Sequence, residues 1–432
     1  MGAGGASPPG LSQAMMAPYR REVSPTMKTP LRLATVCAVA LVIALWCSAC
    51  GEDETQPTPP GGPSSTAASP AGTPDEPADQ APELEGEIGY VSMGNLCVVD
   101  AASGEARDLA ADGTVQGFGW SADGSAVIIA RATYPPMLEW VAIADGTPTP
   151  LPEAGMGARD PRCSPSGEAL AFVMADPEVG TTVHLMAMPQ TSPSEEPEPS
   201  DDPEAEEEPA RLSPEDPLFR VGSDPVWSPD GAWLLYEADG QIRTLRADGE
   251  RSSVVSLGTT DCSVGDWSPD GQRAVYSGLD RVADGHDLFI STTAGDSRGN
   301  ALTTGEAGDV APAWSPDGAW IAFLRPMPTA GEEAEDTETV EGDEAPSPLY
   351  DLWIVNVQSG EERKLLEGPV GRDPQPRWAP RGGWIAATKG EPGGAEMELV
   401  AVPLAKGDDP EPVVLATVEA LAAFEWRPRG ED

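Results

Sequence analysis

The fold of this chain is decided by a five-residue stretch, Trp314-Ser-Pro-Asp-Gly318, which recurs along the sequence. It returns as Trp227-Ser-Pro-Asp-Gly231 and Trp267-Ser-Pro-Asp-Gly271, with substitutions as Trp120-Ser-Ala-Asp-Gly124 and Cys163-Ser-Pro-Ser-Gly167. Two weaker copies follow, Trp378-Ala-Pro-Arg-Gly382 and Trp426-Arg-Pro-Arg-Gly430. The intervals between copies are 43, 64, 40, 47, 64 and 48 residues. We therefore treat residues 87–432 as one repeat domain.

The motif has the residues of a tight turn between two strands. Ser, Pro and Gly at the first, second and fourth positions suit a type I turn, because Pro presets φ and Gly accepts the left-handed conformation. The Trp before the turn ends a strand, and its ring is large enough to fill the space between two sheets. Nine of the 12 Trp residues lie at this position or two residues after the motif Gly. They are predicted to be packing residues rather than a ligand cage.

Each motif is followed by three further segments with strand-forming composition, so each repeat holds four short strands. Four strands in about 40–50 residues are typical of a β-propeller blade. Before the first motif there are three strand segments without an opening one, and Phe424-Glu425-Trp426 supplies an opening strand at the other end. These two partial repeats complete one blade. The prediction is an all-β, seven-bladed β-propeller closed by its N- and C-terminal strands, with six or eight blades as alternatives.

The motif, with following strands such as Trp320-Ile-Ala-Phe and Asp351-Leu-Trp-Ile-Val, resembles the TolB-type (WD-repeat-like) propeller repeat family. The resemblance covers residues 87–432. It implies the propeller fold; TolB itself is a soluble periplasmic protein that works in envelope integrity. TolB carries an α/β domain where this chain has an apolar leader and a Pro-rich segment, so only the propeller platform is carried over.

The N-terminal residues have the pattern of an export signal. Leu33–Trp46 is an apolar run broken only by Thr35, too short for the roughly 20 residues that span a bilayer and suited to a signal-peptide core. The run ends in Cys47-Ser-Ala-Cys50-Gly51, which resembles the lipobox of bacterial lipoproteins. Residues 1–49 are predicted to be a signal peptide and Cys50 the lipidated first residue of the mature protein. The lipid is expected to anchor the protein to the outer membrane, on either its periplasmic or its surface side. Met27 is an alternative start, in which case residues 1–26 are not translated. Cleavage as an ordinary secretion signal is the alternative.

Acidic, Pro-containing segments separate the folded parts. Residues 51–86 carry eight acids and no Lys or Arg, so with Cys50 they are predicted to form a disordered stalk. Two inserts, residues 191–210 and 329–346, carry nine and eight acids and no base, and are predicted to be disordered loops. Much of the net charge of −46 lies in these segments. The charge excludes nucleic acid as a partner, since binding it needs clustered Lys and Arg.

The sequence offers little catalytic chemistry. Gly295-Asp-Ser-Arg-Gly299 matches a nucleophile elbow, but it joins two strands of one repeat and lacks the strand–turn–helix context that the elbow needs. The two His residues, His184 and His286, are too few for His-based metal or acid–base sites. We predict a chain without enzymatic activity and without a cofactor.

One group of carboxylates is a candidate binding site. Asp160, Asp224, Asp309 and Asp373 precede four opening strands by three to five residues from the motif Trp or Cys. Opening strands line a propeller axis, so these residues are predicted to ring one channel mouth, where Ca²⁺ or a cationic peptide would bind. The competing interpretation is that Asp before Pro caps a turn.

The function predicted from these features is a lipid-anchored, non-enzymatic binding or scaffold protein of the bacterial cell envelope. Its partner is expected to be an envelope protein or peptide. The protein is expected to contact the membrane through the lipid anchor only and to be a monomer. The alternative is a Ca²⁺-dependent propeller enzyme of the lactonase or lyase type, with the carboxylates at its central channel.

Overall fold

The computed structural model describes residues 83–134, 136–188, 218–280, 285–295, 298–305, 308–327, 349–371, 375–390, 396–404 and 410–428. The chain divides into two compact units, Met1–Pro70 and Ala71–Asp432, and all of the described residues belong to the second. The signal peptide, Cys50, the stalk up to residue 82 and the inserts 191–210 and 329–346 lie outside the described residues. Asp373 and Ser297 lie outside them as well.

The regular secondary structure of the described residues consists of strands and one short 3₁₀ helix, Pro152–Ala154. The opening strand of each repeat, which ends at the motif Trp or Cys, is β4 (Val115–Trp120), β8 (Arg159–Cys163), β12 (Ser223–Trp227), β16 (Thr259–Trp267), β20 (Val310–Trp314), β24 (Arg377–Trp378) and β28 (Leu421–Trp426). The second strands are β1 (Glu87–Ser92), β5 (Ala126–Arg131), β9 (Ala169–Asp176), β13 (Trp233–Ala238), β17 (Arg273–Asp280), β21 (Trp320–Pro326) and β25 (Trp384–Lys389).

The outer half of each repeat is formed by two more strands. The third strands are β2 (Asn95–Asp100), β6 (Leu138–Ala142), β10 (Gly180–Ala187), β14 (Gln241–Arg246), β18 (His286–Thr292), β22 (Tyr350–Asn356) and β26 (Met397–Pro403). The fourth strands are β3 (Ala106–Ala110), β7 (Pro148–Leu151), β11 (Leu218–Val221), β15 (Ser252–Val254), β19 (Asn300–Ala301), β23 (Glu362–Val370) and β27 (Val413–Val418).

The strands pair antiparallel in sequence order, which confirms the predicted all-β repeat of four strands. Five sheets have four strands each, and a sixth has eight because β23 also pairs with β25 through Val370 and Lys389. The last strand joins the first three: β28 pairs with β1, with Ile88 opposite Trp426 and Tyr90 opposite Phe424. The two partial repeats recognised in the sequence thus share one sheet.

The core is divided into separate apolar clusters, each between two successive four-stranded units. One cluster, for example, joins Trp227 and Leu234 to Ala171 and Leu185 of the preceding unit. Another joins Trp426 and Ile88 to Leu399 of the unit that precedes them in space. The alternating strand pattern buries one set of side chains against each neighbour. Every described unit is therefore stabilised by packing on both of its faces.

The motif forms the turn between the first and second strands. In Ser228-Pro-Asp-Gly231, the Gly231 N–H donates to the Ser228 carbonyl at 2.9 Å, and Gly231 has φ +68°. A Cβ placed on Gly231 would lie 3.6 Å from Cδ of Pro165, the motif Pro of the preceding unit. The same Gly-to-preceding-Pro contact recurs at Gly271, Gly318 and Gly382. The Pro and Gly therefore pack successive turns side by side as well as closing each turn.

Because the strands run up and down, their connections alternate between two ends of each unit. We call the end that carries the motif turns and the connections from third to fourth strands the motif face. The end that carries the connections from second to third strands, and from each fourth strand to the next unit, is the distal face. Met93, Tyr134 and Met156 lie on the distal face. The described chain enters at the motif face, where Arg381 of a motif turn pairs with Glu85 at 2.5 Å.

No helix among the described residues is long and apolar enough to cross a membrane.

Candidate binding site

The opening strands bring one position of every repeat together. Each opening strand contacts the next in the order β4, β8, β12, β16, β20, β24, β28 and back to β4. The Trp227 indole N–H donates to the carbonyl of Arg162 at 2.9 Å, and that of Trp267 to Val226 at 3.0 Å. In both cases the acceptor directly precedes the motif Trp or Cys of the preceding unit. This indole–carbonyl bond fixes neighbouring opening strands at one level.

The same bond continues around the other units, with two exceptions. Three further pairs make it: Trp378 to Ala313 at 3.0 Å, Trp426 to Arg377 at 3.1 Å and Trp120 to Glu425 at 3.2 Å. The unit with Cys163 has no indole. The buried Nε1 of Trp314 has no hydrogen-bond partner among the described residues, because Asp266 binds this strand through its side chain instead. The Trp residues predicted to pack between sheets thus also tie the sheets together.

Four of the positions that directly precede the motif Trp or Cys carry charge. They are Arg162, Asp266, Arg377 and Glu425, which we call the inner quartet. The remaining three are Gly119, Val226 and Ala313. Two positive and two negative side chains therefore meet along the opening strands, with no formal net charge. A charged residue before the motif in four of seven repeats was visible in the sequence, but only the alignment of the strands gives it meaning.

The side chains of the inner quartet are partly exposed, but burial still shifts the pKa of two of them, Asp266 and Arg377. Arg162 Nη1 lies 4.0 Å from Glu425 Oε2, and both side chains are 36% exposed. Burial raises the pKa of Asp266, while backbone N–H groups of Trp314 and Trp267 that donate to its carboxylate, at 2.9 and 2.8 Å, oppose this. Burial lowers the pKa of Arg377, and the positive charge of Arg162 lowers it further. Glu425 and Asp266 raise the pKa of Arg377, so the other three members of the quartet all act on Arg377.

The four carboxylates predicted to ring a channel mouth occupy two different environments. Asp160 and Asp224 are exposed and have φ +50° and +52°, a conformation that Asp tolerates better than most residues. Asp224 accepts a hydrogen bond from the Ser223 hydroxyl at 2.7 Å, and Asp160 lies 3.7 Å from the Arg159 guanidinium. Both lie inside an opening strand, where the pairing with the second strand is interrupted by a bulge.

Asp309 is buried and paired. Its two oxygens accept from Arg325 Nε at 2.7 Å and Nη2 at 2.8 Å, and Arg325 also binds Glu362 at 2.7 Å. The bond to Asp309 raises the pKa of Arg325. Arg325 further stacks over Trp353, 4.7 Å from the ring centroid. Asp309 therefore differs from Asp160 and Asp224, and Asp373 lies outside the described residues, so the four-carboxylate ring stays a prediction. The described residues contain no group of three or more His, Cys, Asp or Glu that could hold a metal ion.

The His and Cys residues are placed in local packing. His184 stacks on Phe172 with centroids 5.3 Å apart, and burial lowers its pKa. His286 Nε2 lies 3.1 Å from an Asp261 carboxylate oxygen. Cys97, Cys163 and Cys262 are all unbridged, and burial raises the pKa of each, to about 11 for Cys97. A thiol with a raised pKa is a weak nucleophile at neutral pH.

The distal face exposes most of the large apolar side chains. Six of the eight exposed ones among the described residues lie in its connections or at a strand end beside one: Met93 (60%), Tyr134 (102%), Met156 (69%), Val179 (50%), Val221 (45%) and Leu257 (36%). The other two, Val413 and Val414, begin the outer strand β27. The sequence alone does not reveal that these residues share a surface, because they are far apart along the chain.

The distal face is also acidic. Its described connections contain no Lys or Arg and six acids besides the buried, paired Asp309, namely Asp112, Glu153, Glu178, Asp239, Glu396 and Glu419. Four basic residues stand at bordering strand ends. Arg131 pairs with Asp112 and Glu139, Arg325 pairs with Asp309, and Arg159 lies 3.7 Å from Asp160, while Lys389 ends β25. The distal face therefore combines apolar side chains with negative charge.

No family model matches the chain. It is 32% identical over 118 residues to an uncharacterized protein of Agrobacterium fabrum, covering 24% of this chain and 40% of that one. It is 32% identical over 125 residues to the uncharacterized peptidase YuxL of Bacillus subtilis, covering 28% of this chain and 16% of that one. The chain thus matches less than half of the length of either relative.

Solved structures resemble the chain in fold. A prolyl endopeptidase has a TM-score of 0.50 at 12% identity, covering 80% of this chain and 51% of that one. TolB of Acinetobacter baumannii has a TM-score of 0.47 at 14% identity, covering 81% and 68%. An oligogalacturonate lyase in complex with manganese has 0.49 at 13%, covering 72% and 83%. The strand pairing of the described residues supports the all-β, propeller-type fold expected from the TolB-like motif, and identities this low show the fold alone.

Proposed function

We propose that this protein is a lipid-anchored, non-enzymatic binding protein of the bacterial cell envelope, built on a closed seven-bladed propeller. Cys50 is the lipidated residue and the outer membrane its site. The pairing of β28 with β1 and the cyclic contacts of the opening strands support closure and a count of seven. The partner is an envelope protein, and the distal face is where it docks.

The observation that carries the docking proposal is the uneven distribution of exposed apolar side chains. Single exposed apolar residues are ordinary, but a concentration on one face marks an interaction surface. Tyr134 is fully exposed and Met156 is 69% exposed, and both are residue types enriched at interfaces. Since the described connections of this face carry acids and no Lys or Arg, a complementary partner surface is apolar with basic residues at its rim.

The described N-terminal end of the chain lies at the motif face. The described N-terminal residues reach β1 along a motif turn, through the pair between Glu85 and Arg381. This described end of the chain therefore lies at the motif face and not at the distal face. Diacylation with an amide-linked chain exceeds the two signals that stable membrane anchoring requires.

Capture of the partner from detergent-solubilised membranes tests the proposal. The double variant Tyr134→Ser/Met156→Ser is expected to lose the protein that the unmodified chain retains, and higher salt to weaken the retention. Val413→Ser is the matched control, because Val413 is 40% exposed but lies on β27 away from the distal face. Equal retention by all three proteins would contradict docking at the distal face. Separately, Cys50→Ser is expected to move the protein to the soluble fraction, and continued membrane association would contradict the anchor.

A further inference from the structure

The inner quartet lies at a position that neither the turn motif nor the docking face explains. Arg162, Arg377 and Glu425 hold equivalent places, since the carbonyl of each accepts an indole N–H from the next unit. Asp266 is the corresponding residue of its own unit. The four side chains are thus presented at one level of the opening strands, which contact one another in cyclic order.

The side chains of the inner quartet line a space that water can enter. Each is partly exposed, yet burial is the largest influence on the pKa of both Asp266 and Arg377. Since the opening strands contact one another in cyclic order, partly exposed side chains at one level of these strands face the space that the strands surround. Electrostatic interactions in such a space are stronger than in bulk water.

Arg377 is the least satisfied member of the inner quartet. Its guanidinium donates to Gln375 Oε1 at 3.4 Å and to the Pro376 carbonyl at 3.3 Å, both long and to neutral acceptors. It makes no ion pair within 4.0 Å among the described residues, although a guanidinium offers five donors. A desolvated cation without a partner is costly, and a bidentate carboxylate is the ligand that its fork fits best.

Asp266 and Glu425 are the two carboxylates of the inner quartet, and they can bind a positively charged group. Asp266 is held by two backbone N–H groups, so its orientation is fixed. Glu425 makes one ion pair, with Arg162 at 4.0 Å. Its carboxylate oxygens can accept further hydrogen bonds, as from an ammonium group. An incoming carboxylate beside Arg377 would disturb the neutrality of the quartet unless a positive group accompanied it.

We propose that the inner quartet binds a small zwitterion, an α-amino acid or a short peptide, with its carboxylate on Arg377 and Arg162 and its ammonium group on Glu425 and Asp266. This function is separate from docking at the distal face, because the groups involved lie on the opening strands and not in the connections. A free amino acid and a short peptide share the chemistry and differ in the length that the space accepts.

Calorimetric titration with a defined series tests the proposal. Alanine, dialanine and trialanine carry both charged groups, N-acetylalanine carries the carboxylate alone and alanine amide the ammonium group alone. At least one zwitterion is expected to bind roughly tenfold or more tightly than either single-charge analogue, since only the zwitterion makes charge-assisted hydrogen bonds at both ends. Tightest binding of alanine indicates a free amino acid as the ligand, and tightest binding of trialanine indicates a peptide.

Variants separate binding from folding. Arg377→Gln is expected to weaken the zwitterion roughly tenfold or more, and Glu425→Gln to weaken the zwitterion while leaving N-acetylalanine unchanged. Arg381→Gln, the same substitution at an exposed residue of the motif face, is the control and should bind as the unmodified chain does. Thermal unfolding without ligand shows whether each variant is folded. If Arg377→Gln does not fold, the Glu425→Gln selectivity decides. No binding of any zwitterion, or unchanged binding by the folded Arg377→Gln and Glu425→Gln proteins, would overturn the proposal.

Discussion

At the scale of single residues, the Ser and Asp of the motif are joined to the backbone of their own turn. The Ser228 hydroxyl donates to Asp230 Oδ1 at 2.6 Å and accepts the Trp233 N–H at 2.9 Å. Asp230 also accepts the Ala232 N–H at 3.0 Å. Ser315 and Asp317 repeat the same arrangement. The sequence predicted the turn, but not that the hydroxyl links both sides of it.

These hydrogen bonds predict how stability depends on pH. Bonds from Ser228 and from the Ala232 N–H lower the pKa of Asp230, and similar bonds lower those of Asp123 and Asp270. A carboxyl whose pKa is lower in the folded chain stabilises it fully above the unfolded pKa, near 3.9, and this contribution is lost as the pH falls below it. We expect the melting temperature to be steady from about pH 7 to 5 and to drop below about pH 4.

The variant Asp230→Asn isolates one of these contributions. It should be less stable than the unmodified chain at pH 7, and the difference should shrink as the pH approaches 3, because Asp230 then takes up a proton more readily in the unfolded chain than in the folded one. Chemical unfolding at the two pH values measures this. A difference that stays constant would show that Asp230 acts through its shape and not its charge.

At the scale of elements, the opening strands are held in register by the indole–carbonyl bonds. Residue patterns identified the Trp residues as packing groups, and they are buried as expected, Trp378 at 8% and Trp314 at 4% exposure. The pattern could not show which carbonyl each indole would meet, because the acceptor belongs to another repeat, 41 to 65 residues away in four cases and 305 residues away for Trp120. Ala313, the acceptor for Trp378, is 65 residues distant.

The two Trp residues allow a matched test of this bond. Trp378→Phe removes the bond to Ala313 and leaves a carbonyl unpaired, so it should reduce the free energy of unfolding by about 1–3 kcal/mol beyond the loss of ring volume. Trp314→Phe loses similar volume but no such bond among the described residues. Denaturant unfolding of both variants measures the difference. Equal losses would mean that the rings act by packing alone.

At the scale of the whole molecule, the recurring motif determined most of what could be predicted. The strand count per repeat and the sharing of one sheet by the terminal segments follow from turn chemistry that is local, such as Ser-Pro-Asp-Gly. The binding features do not follow from it. Arg377 and Glu425 become neighbours only when opening strands assemble, and Tyr134 and Met156 form a face only when the connections are brought to one end. Asp309 looked like its counterparts Asp160 and Asp224, but Arg325, 16 residues later, engages it.

The pairing of β28 with β1 makes the C-terminal strand essential to the domain. Removal of residues 421–432 should expose β1 and the cluster around Ile88 and Phe424, since an unpaired edge and an open apolar face both favour aggregation. We expect this variant to lose cooperative unfolding, as measured by calorimetry. Removal of residues 429–432 alone is the control and should leave the transition unchanged. A cooperative, equally stable transition after the longer deletion would argue against closure through β28.

The central claim, that the distal face is where this protein meets its partner, is tested most directly by site-specific photo-crosslinking in the cell envelope. A crosslinking amino acid at position 134 is compared with the same amino acid at position 145, an exposed residue of the motif face. The account predicts one discrete crosslinked product of the same mass from position 134 and from position 156, and none from position 145. A product from position 145 without one from positions 134 and 156 would contradict it.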